Sequence, residues 1–279
     1  PMTSGLGSGA TFTETTTTRS ALEITRKGSV IRLRSIDGPF KIRVEDGLSN
    51  EALGLAYKEV GNITDLPKSC YDGFTVKVIG DADIDQDDYY VRFSTKDKGE
   101  FGEGSWVETV GWSQDGTESD ELAPIGIQYD TSTMPVTLVP VFTGNNITSF
   151  KLQTPEQDKN SERPFEDGWR SRQAGDDNTN PFPSFVGTTI NDVFFFKNRL
   201  GFLTDSNVIF SEADEYFNFF RTTTQQLLDS AVIDVGLSHT KVAVLQHALP
   251  FQEKLMLFSK QSQFVLRGAD ILSPKTVAI

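Results

Sequence analysis

Alternation of polar and apolar residues restricts this chain more than any other feature. "FKIRVE" sets Phe40, Ile42 and Val44 against Lys41, Arg43 and Glu45. That period of two places alternate side chains on opposite faces of a strand. "VIRLR" (30–34) has a similar pattern, with a turn at Asp37-Gly38-Pro39 between the two. "FTVKVIG" (74–80), "DYYVRFST" (88–95) and "SWVETVGW" (105–112) read as three more strands, connected by 80–88 and 96–104. "MPVTLVPVF" (134–142) and "TSFKLQ" (148–153) predict a hairpin around Gly144-Asn145. The near-continuous apolar run "DVFFFKNRLGFLT" (192–204) predicts a buried strand and a turn, and "NVIFSE" (207–212) another strand. "VIDVGL", "KVAVLQHAL", "EKLMLFSK" and "SQFVLRG" then follow at intervals of about 8–12 residues, the rhythm of a sandwich or propeller.

Two segments carry helical spacing. Leu53, Ala56, Tyr57 and Val60 recur at i, i+3, i+4 and i+7 behind Ser49 as N-cap. Ser211 and Asp214 form a capping-box pattern ahead of Phe217, Phe220, Thr224 and Leu227. The expected fold is therefore mainly β, with an α+β N-terminal part, antiparallel sheets and a propeller- or sandwich-like second domain. The Gly/Ser/Thr-rich residues 1–20 predict a flexible or extended segment. An α+β domain over 21–120 and a β-rich domain over 121–279 meet near the acidic "SQDGTESDELAP" (113–124). "ILSPKTVAI" reads as the start of a further strand, so the chain reads as a fragment, truncated at its C-terminal end.

The chain has 279 residues, with 26 Lys and Arg against 39 Asp and Glu, a net charge of −13. That charge opposes general binding to nucleic acid, which needs clustered cations. A local cluster exists in "RKGSVIRLRS" (26–35), where Arg26, Lys27, Arg32 and Arg34 have no acid between them. Cys70 is the sole cysteine. It allows neither an intramolecular disulfide nor a cysteine zinc site, and fits synthesis in a reducing cytosol. No apolar run approaches the roughly 20 residues of a membrane helix.

Patterns for chemistry fail one by one. Asp81, Asp83 and Asp85 start like a calcium loop, but Gln86 and Arg92 stand where the loop needs Gly and Glu. Asp176, Asn178 and Asn180 start likewise, and Pro181 and Gly187 break the pattern. Aspartate-rich turns are the simpler expectation. His239 and His247 have no nucleophile elbow to serve, although Asp234 and Ser238 lie near the first. No catalytic, cofactor-binding or metal residue is assigned. Paired carboxylates at a glycosidase separation are beyond what sequence locates. A carbohydrate-degrading hydrolase and a receptor-binding module therefore stand as alternative readings.

The densest segment is "WRSRQAGDDNTNPFPSF" (169–185). Arg170, Arg172 and Arg199 offer guanidinium forks, with Asp176 and Asp177 at hand. Pro181 and Pro183 restrict the backbone. Trp169, Phe182 and Phe185 can bury the loop against a sheet. These residues predict a structural clamp.

The order Trp169, Arg172, Gly175-Asp176, Asn180-Pro181, Pro183-Ser184-Phe185 and Asn198-Arg199-Leu200-Gly201-Phe202 resembles the tail tubular protein B family, the tail nozzle proteins of short-tailed bacteriophages. "DYYV" (88–91), "TMPVTLV" (133–139) and "FNFF" (217–220) also resemble it, and the likeness spans Gly73 to Thr276. Ala231-Val232-Ile233-Asp234 stands where the family pattern has Asp-Pro-Ile-Asp. The resemblance implies a structural part of the virion, made in the host cytoplasm, without enzymatic activity or cofactor. It implies a hexameric ring of copies, contacts with the neighbouring tail tube protein and tail fibres, and DNA passing through without tight binding.

Overall fold

The computed structural model describes residues 15–19, 22–36, 40–45, 53–80, 87–96, 99–111, 129–155, 168–238, 243–268 and 270–279. Expectations for Ser49, for the turn at 37–39, for Asp81–Asp85, for His239 and for the boundary at 113–124 lie outside these residues, as do residues 1–14. The described residues are nearly all strand, turn and loop, and they fall into two units.

The first unit holds the described residues up to Ile79 together with Tyr90–Val107. β1 (Thr15–Arg19), β2 (Leu22–Lys27) and β3 (Val30–Ser35) form an antiparallel meander. β4 (Glu59–Val60), β5 (Ser69–Tyr71), β6 (Thr75–Val78), β7 (Tyr89–Thr95) and β8 (Phe101–Thr109) make a five-stranded sheet in the order β4-β6-β7-β8-β5. Its core contains Val76, Val78, Tyr90, Val91 and Phe93. Trp106 meets Phe93 edge-on at 5.0 Å and donates its indole N–H to the Pro67 carbonyl at 2.9 Å.

The expected helix over 53–60 is absent. Residues 53–58 are irregular, and Glu59–Val60 pairs in parallel with Lys77–Val78. The spacing was helical, but Gly54 falls inside it and Gly61 follows it, and each glycine costs about 1 kcal/mol in a helix. Val60 is buried as a strand residue, while Leu53 and Tyr57 are left exposed. Among the described residues the N-terminal part is thus β rather than α+β. "FKIRVE" keeps its alternating burial without joining a ladder.

The second unit takes in Asp87–Tyr89, Glu108–Gly111 and the described residues from Tyr129 onward. β9 (Thr137–Thr143) and β10 (Asn146–Gln153) form the expected hairpin, with Gly144 at φ +62° in its turn. β11 (Asp192–Phe196), β12 (Arg199–Thr204), β13 (Asn207–Phe210) and β14 (Ile233–Gly236) are an antiparallel meander in sequence order. β15 (Leu245–Phe251), β16 (Lys254–Ser259) and β17 (Gln263–Leu266) form another.

These two meanders share one core, in which Phe194, Phe196, Leu203 and Phe210 meet Leu245, Leu255, Leu257 and Leu266. The opposite face of β12 and β13 carries Leu200, Phe202 and Ile209 beneath Trp169, Phe185 and Phe219. Every residue of β12 is therefore buried. This double covering explains the near-continuous apolar run, since a strand buried on both faces has no solvent side to alternate with.

Helical spacing fails again over 211–227. Ser211 accepts the Leu200 N–H and donates to the Glu212 carbonyl instead of capping a helix. Asp214 sits at φ +63°, outside helical geometry. The segment runs as successive turns and loop.

Candidate functional site

The loop from Trp169 to Phe185 lies on the aromatic face of β12 and β13. Trp169 contacts Phe217 edge-on at 5.0 Å and approaches Phe202 and Phe219 at 6.1 Å. Phe185 meets Phe202 and Phe219 edge-on, both at 5.3 Å, and those two rings stack on each other at 4.8 Å. Such pairs add about 0.5–1.5 kcal/mol each beyond area burial. Pro183 is buried beside Phe185, whereas Pro181 and Phe182 are exposed.

Polar side chains tie the loop to backbone. The Asp176 carboxylate accepts the N–H groups of Asn178 and Thr179, both at 3.0 Å, and the Thr179 hydroxyl at 3.1 Å. Asn180 is buried; its amide donates to the carbonyls of Ala174 (2.8 Å) and Arg221 (2.9 Å) and accepts the Arg221 N–H at 3.0 Å. Of the three residues that start like a calcium loop, Asp176 and Asn180 thus have their side chains engaged with backbone, while Asn178 contributes its N–H. Gly175 has φ +73°, and a Cβ there would lie 2.6 Å from both Thr179 Oγ1 and Thr224 Cγ2. Its carbonyl accepts the Gly111 N–H at 2.8 Å.

The arginines differ from one another. Arg170 contacts Glu215 at 2.7 Å. Arg172 is fully buried and bonds Asp177 at 2.7 Å, although Asp177 is itself 66% exposed. The guanidinium also lies over the rings of Phe182 (5.4 Å) and Phe220 (5.7 Å). Among the described residues its Nε and second terminal nitrogen have no hydrogen-bond partner, like the hydroxyl of Tyr129, which stacks on Phe220 at 5.2 Å. Burial pushes the Tyr129 hydroxyl well above its ordinary pKa, against the opposing pull of Arg172.

Among the described residues Arg199 pairs with no carboxylate. It donates to four carbonyls, those of Ser211 and Ala231 at 2.7 Å, Asp229 at 2.9 Å and Leu272 at 3.1 Å. Burial lowers its pKa, opposed by Glu212 and Asp214. Asn198 lies apart from the loop. Lys197 (φ 47°) and Asn198 (φ 57°) form the two-residue turn between β11 and β12, the left-handed pair that such hairpins require. A Cβ on Gly201 would fall 2.3 Å from the Phe194 ring, so β11 lays an aromatic over that glycine.

Three contributors had no sequence signal. Glu108, at the end of β8, accepts the Thr224 N–H (2.7 Å) and the hydroxyls of Thr223 (2.6 Å) and Thr224 (3.1 Å). Asp234 accepts the Ser184 N–H at 2.7 Å and the Asn207 amide at 2.9 Å, so it secures the loop. Arg221 donates to the Thr179 carbonyl and to Asp87, both at 3.1 Å. Residues over 40 apart in sequence make several of these contacts, and the three-threonine run in "RTTTQQ" was the one trace of them. His247 is exposed, 3.8 Å from Asp192.

The second unit has two apolar cores, and most of the polar side chains named above bind backbone; the class of protein follows from likeness to structural components of phage tails. The chain is a member of the bacteriophage nozzle protein family, whose pattern matches residues 9–279. It is 36% identical over 235 residues to the tail tubular protein gp12 of Escherichia phage T7, covering 84% of this chain and 25% of that relative. Both names describe a structural tail component, and neither supports the hydrolase alternative. The chain spans a quarter of the relative's length.

Proposed function

We propose that this chain forms part of a tail nozzle, assembling with other copies into a hexameric ring that contacts the neighbouring tail tube protein and tail fibres and lets DNA pass without gripping it. Synthesis in the host cytoplasm, before incorporation into the virion, is part of the same reading. The observation that carries it is the extended identity to a tail tubular protein. Within the ring, Trp169, Arg172, Gly175, Asp176, Asn180, Pro181, Pro183 and Phe185 act as a clamp that holds their loop on the β12–β13 face. Asn198 and Arg199 set the turn and the backbone ties beside it. A loop so fixed loses little further entropy when a neighbour docks. Negative-stain electron microscopy of the purified protein tests the assembly. Annular particles are expected, and a field of unassembled particles at every concentration would refute the ring.

A further inference from the structure

The β9–β10 hairpin has a sidedness that its sequence does not advertise. Its register pairs Leu138 with Leu152, Pro140 with Phe150 and Phe142 with Ile147, across a bulge between Ile147 and Ser149. Paired residues of antiparallel strands share a face, and alternate residues along a strand do too. One face therefore consists of these six apolar residues, without a charge or a hydrogen-bonding side chain. The other carries Thr137, Val139, Val141, Thr143, Asn146, Ser149, Lys151 and Gln153, two valines among six polar side chains. The apolar face is open: Leu138 and Leu152 are 65% exposed, Phe150 61%, Phe142 58% and Ile147 52%. Among the described residues the hairpin is a sheet of two strands with no third.

A two-stranded sheet is marginal by itself in water, and a contiguous apolar face on a protein surface marks an interaction site. We propose that this face is a contact surface between copies of the chain, occupied by a second copy. The proposal rests on the assembling tail-protein reading and names a surface for it. Two arguments favour a second copy. The first is charge: each chain carries −13, so like chains repel, and a face without charges is where they approach at least cost. The second is area. Five residues each exposing over half of about 200 Å² give roughly 600 Å² per copy. Together with an equal contribution from the neighbour this makes about 1,200 Å², the lower bound of specific interfaces.

The test compares sedimentation velocity of the wild-type chain, a double variant Phe142→Ser/Phe150→Ser, and Val139→Ser on the opposite face. Wild type and Val139→Ser should associate alike, while the double variant should weaken association at least about tenfold with an unchanged urea midpoint. A benzophenone amino acid at position 142 in the otherwise wild-type chain should cross-link to the hairpin of another copy, which guards against a misfolded double variant. Undiminished association of the double variant, or cross-links only to surfaces elsewhere, would overturn the proposal while leaving the ring reading intact. A wild-type chain that never self-associates would also overturn it, because another occupant, such as a different tail protein or further residues of a longer chain, would then cover the face. Annular particles by microscopy decide the ring reading separately.

Discussion

Arg172 and Arg199 are both buried arginines of the same signature, yet their chemistry differs. The side chain of Arg199 satisfies four carbonyls from the chain around 211, 229–231 and 272. Arg199→Met strands them and should lower stability by about 3–5 kcal/mol. Arg172 has one carboxylate partner, and since Asp177 is exposed, no buried acid is stranded when the arginine goes. Arg172→Met keeps contact with Phe182 and Phe220 while removing a poorly compensated charge, so a change under about 1 kcal/mol is expected. Urea midpoints of the two variants decide this, and equal losses would refute the distinction. Asp72 supplies a pH dependence in the first unit. The N–H groups of Thr95 (2.9 Å) and Gly99 (3.0 Å) bind its carboxylate and hold its pKa below the ordinary value. A depressed folded pKa gives stability that is complete above about pH 4 and is lost as pH falls through the lowered value. Asp72→Asn should flatten that acid limb of a stability–pH curve, and an unaltered limb would exclude Asp72 as its source.

At the scale of elements, Glu108 links the end of β8 to the threonine run at 223–224. Charged acceptors of this kind contribute about 1.5–3 kcal/mol per bond. Glu108→Ala should therefore destabilise the second unit by about 2–4 kcal/mol and expose the Thr224 amide to hydrogen exchange. Retained protection at Thr224 would show that the loop holds without it. Most strands were legible in a local pattern, although "FKIRVE" kept only its alternating burial and pairs with no strand among the described residues. The β9–β10 turn was visible in Gly144-Asn145, and the buried β12 in its unbroken apolar run. Helical spacing and N-cap patterns pointed to two helices that the structure does not form over 53–60 and 211–227. Leu53, Ala56, Tyr57 and Val60 kept a helical period around Gly54, and Thr223-Thr224 found a carboxylate over 100 residues away. The aromatic half of the loop site was visible in Trp169 and Phe185. Its partners Glu108, Asp234 and Arg221 were not, because no local period encodes a contact of that range.

For the whole molecule, the net charge of −13 predicts no measurable duplex DNA binding at physiological salt. The basic stretch at 26–35 does not reverse this. Arg26 and Lys27 are adjacent on β2 and so point to opposite faces. Lys27 lies over the Phe101 ring at 5.4 Å and Arg32 over Tyr71 at 4.8 Å, while Glu23 stands opposite Arg34 in the register. Titrating labelled duplex at about 50 mM salt checks the prediction, because phosphate binding is strongest there and falls steeply as salt rises. Micromolar binding abolished by Arg32→Glu and Arg34→Glu would contradict a passive conduit.

The four ties of Arg199 also set an order of events during synthesis. Its last acceptor, Leu272, is 73 residues downstream, so the guanidinium completes its shell only after nearly all of the second unit has left the ribosome. Closing such a loop late is slow compared with forming the β11–β12 turn. A nascent chain arrested with residue 272 still inside the exit tunnel should be cut by protease within β13 and β14, and a C-terminal linker of about 40 residues that carries residue 272 out of the tunnel should end that sensitivity in one step.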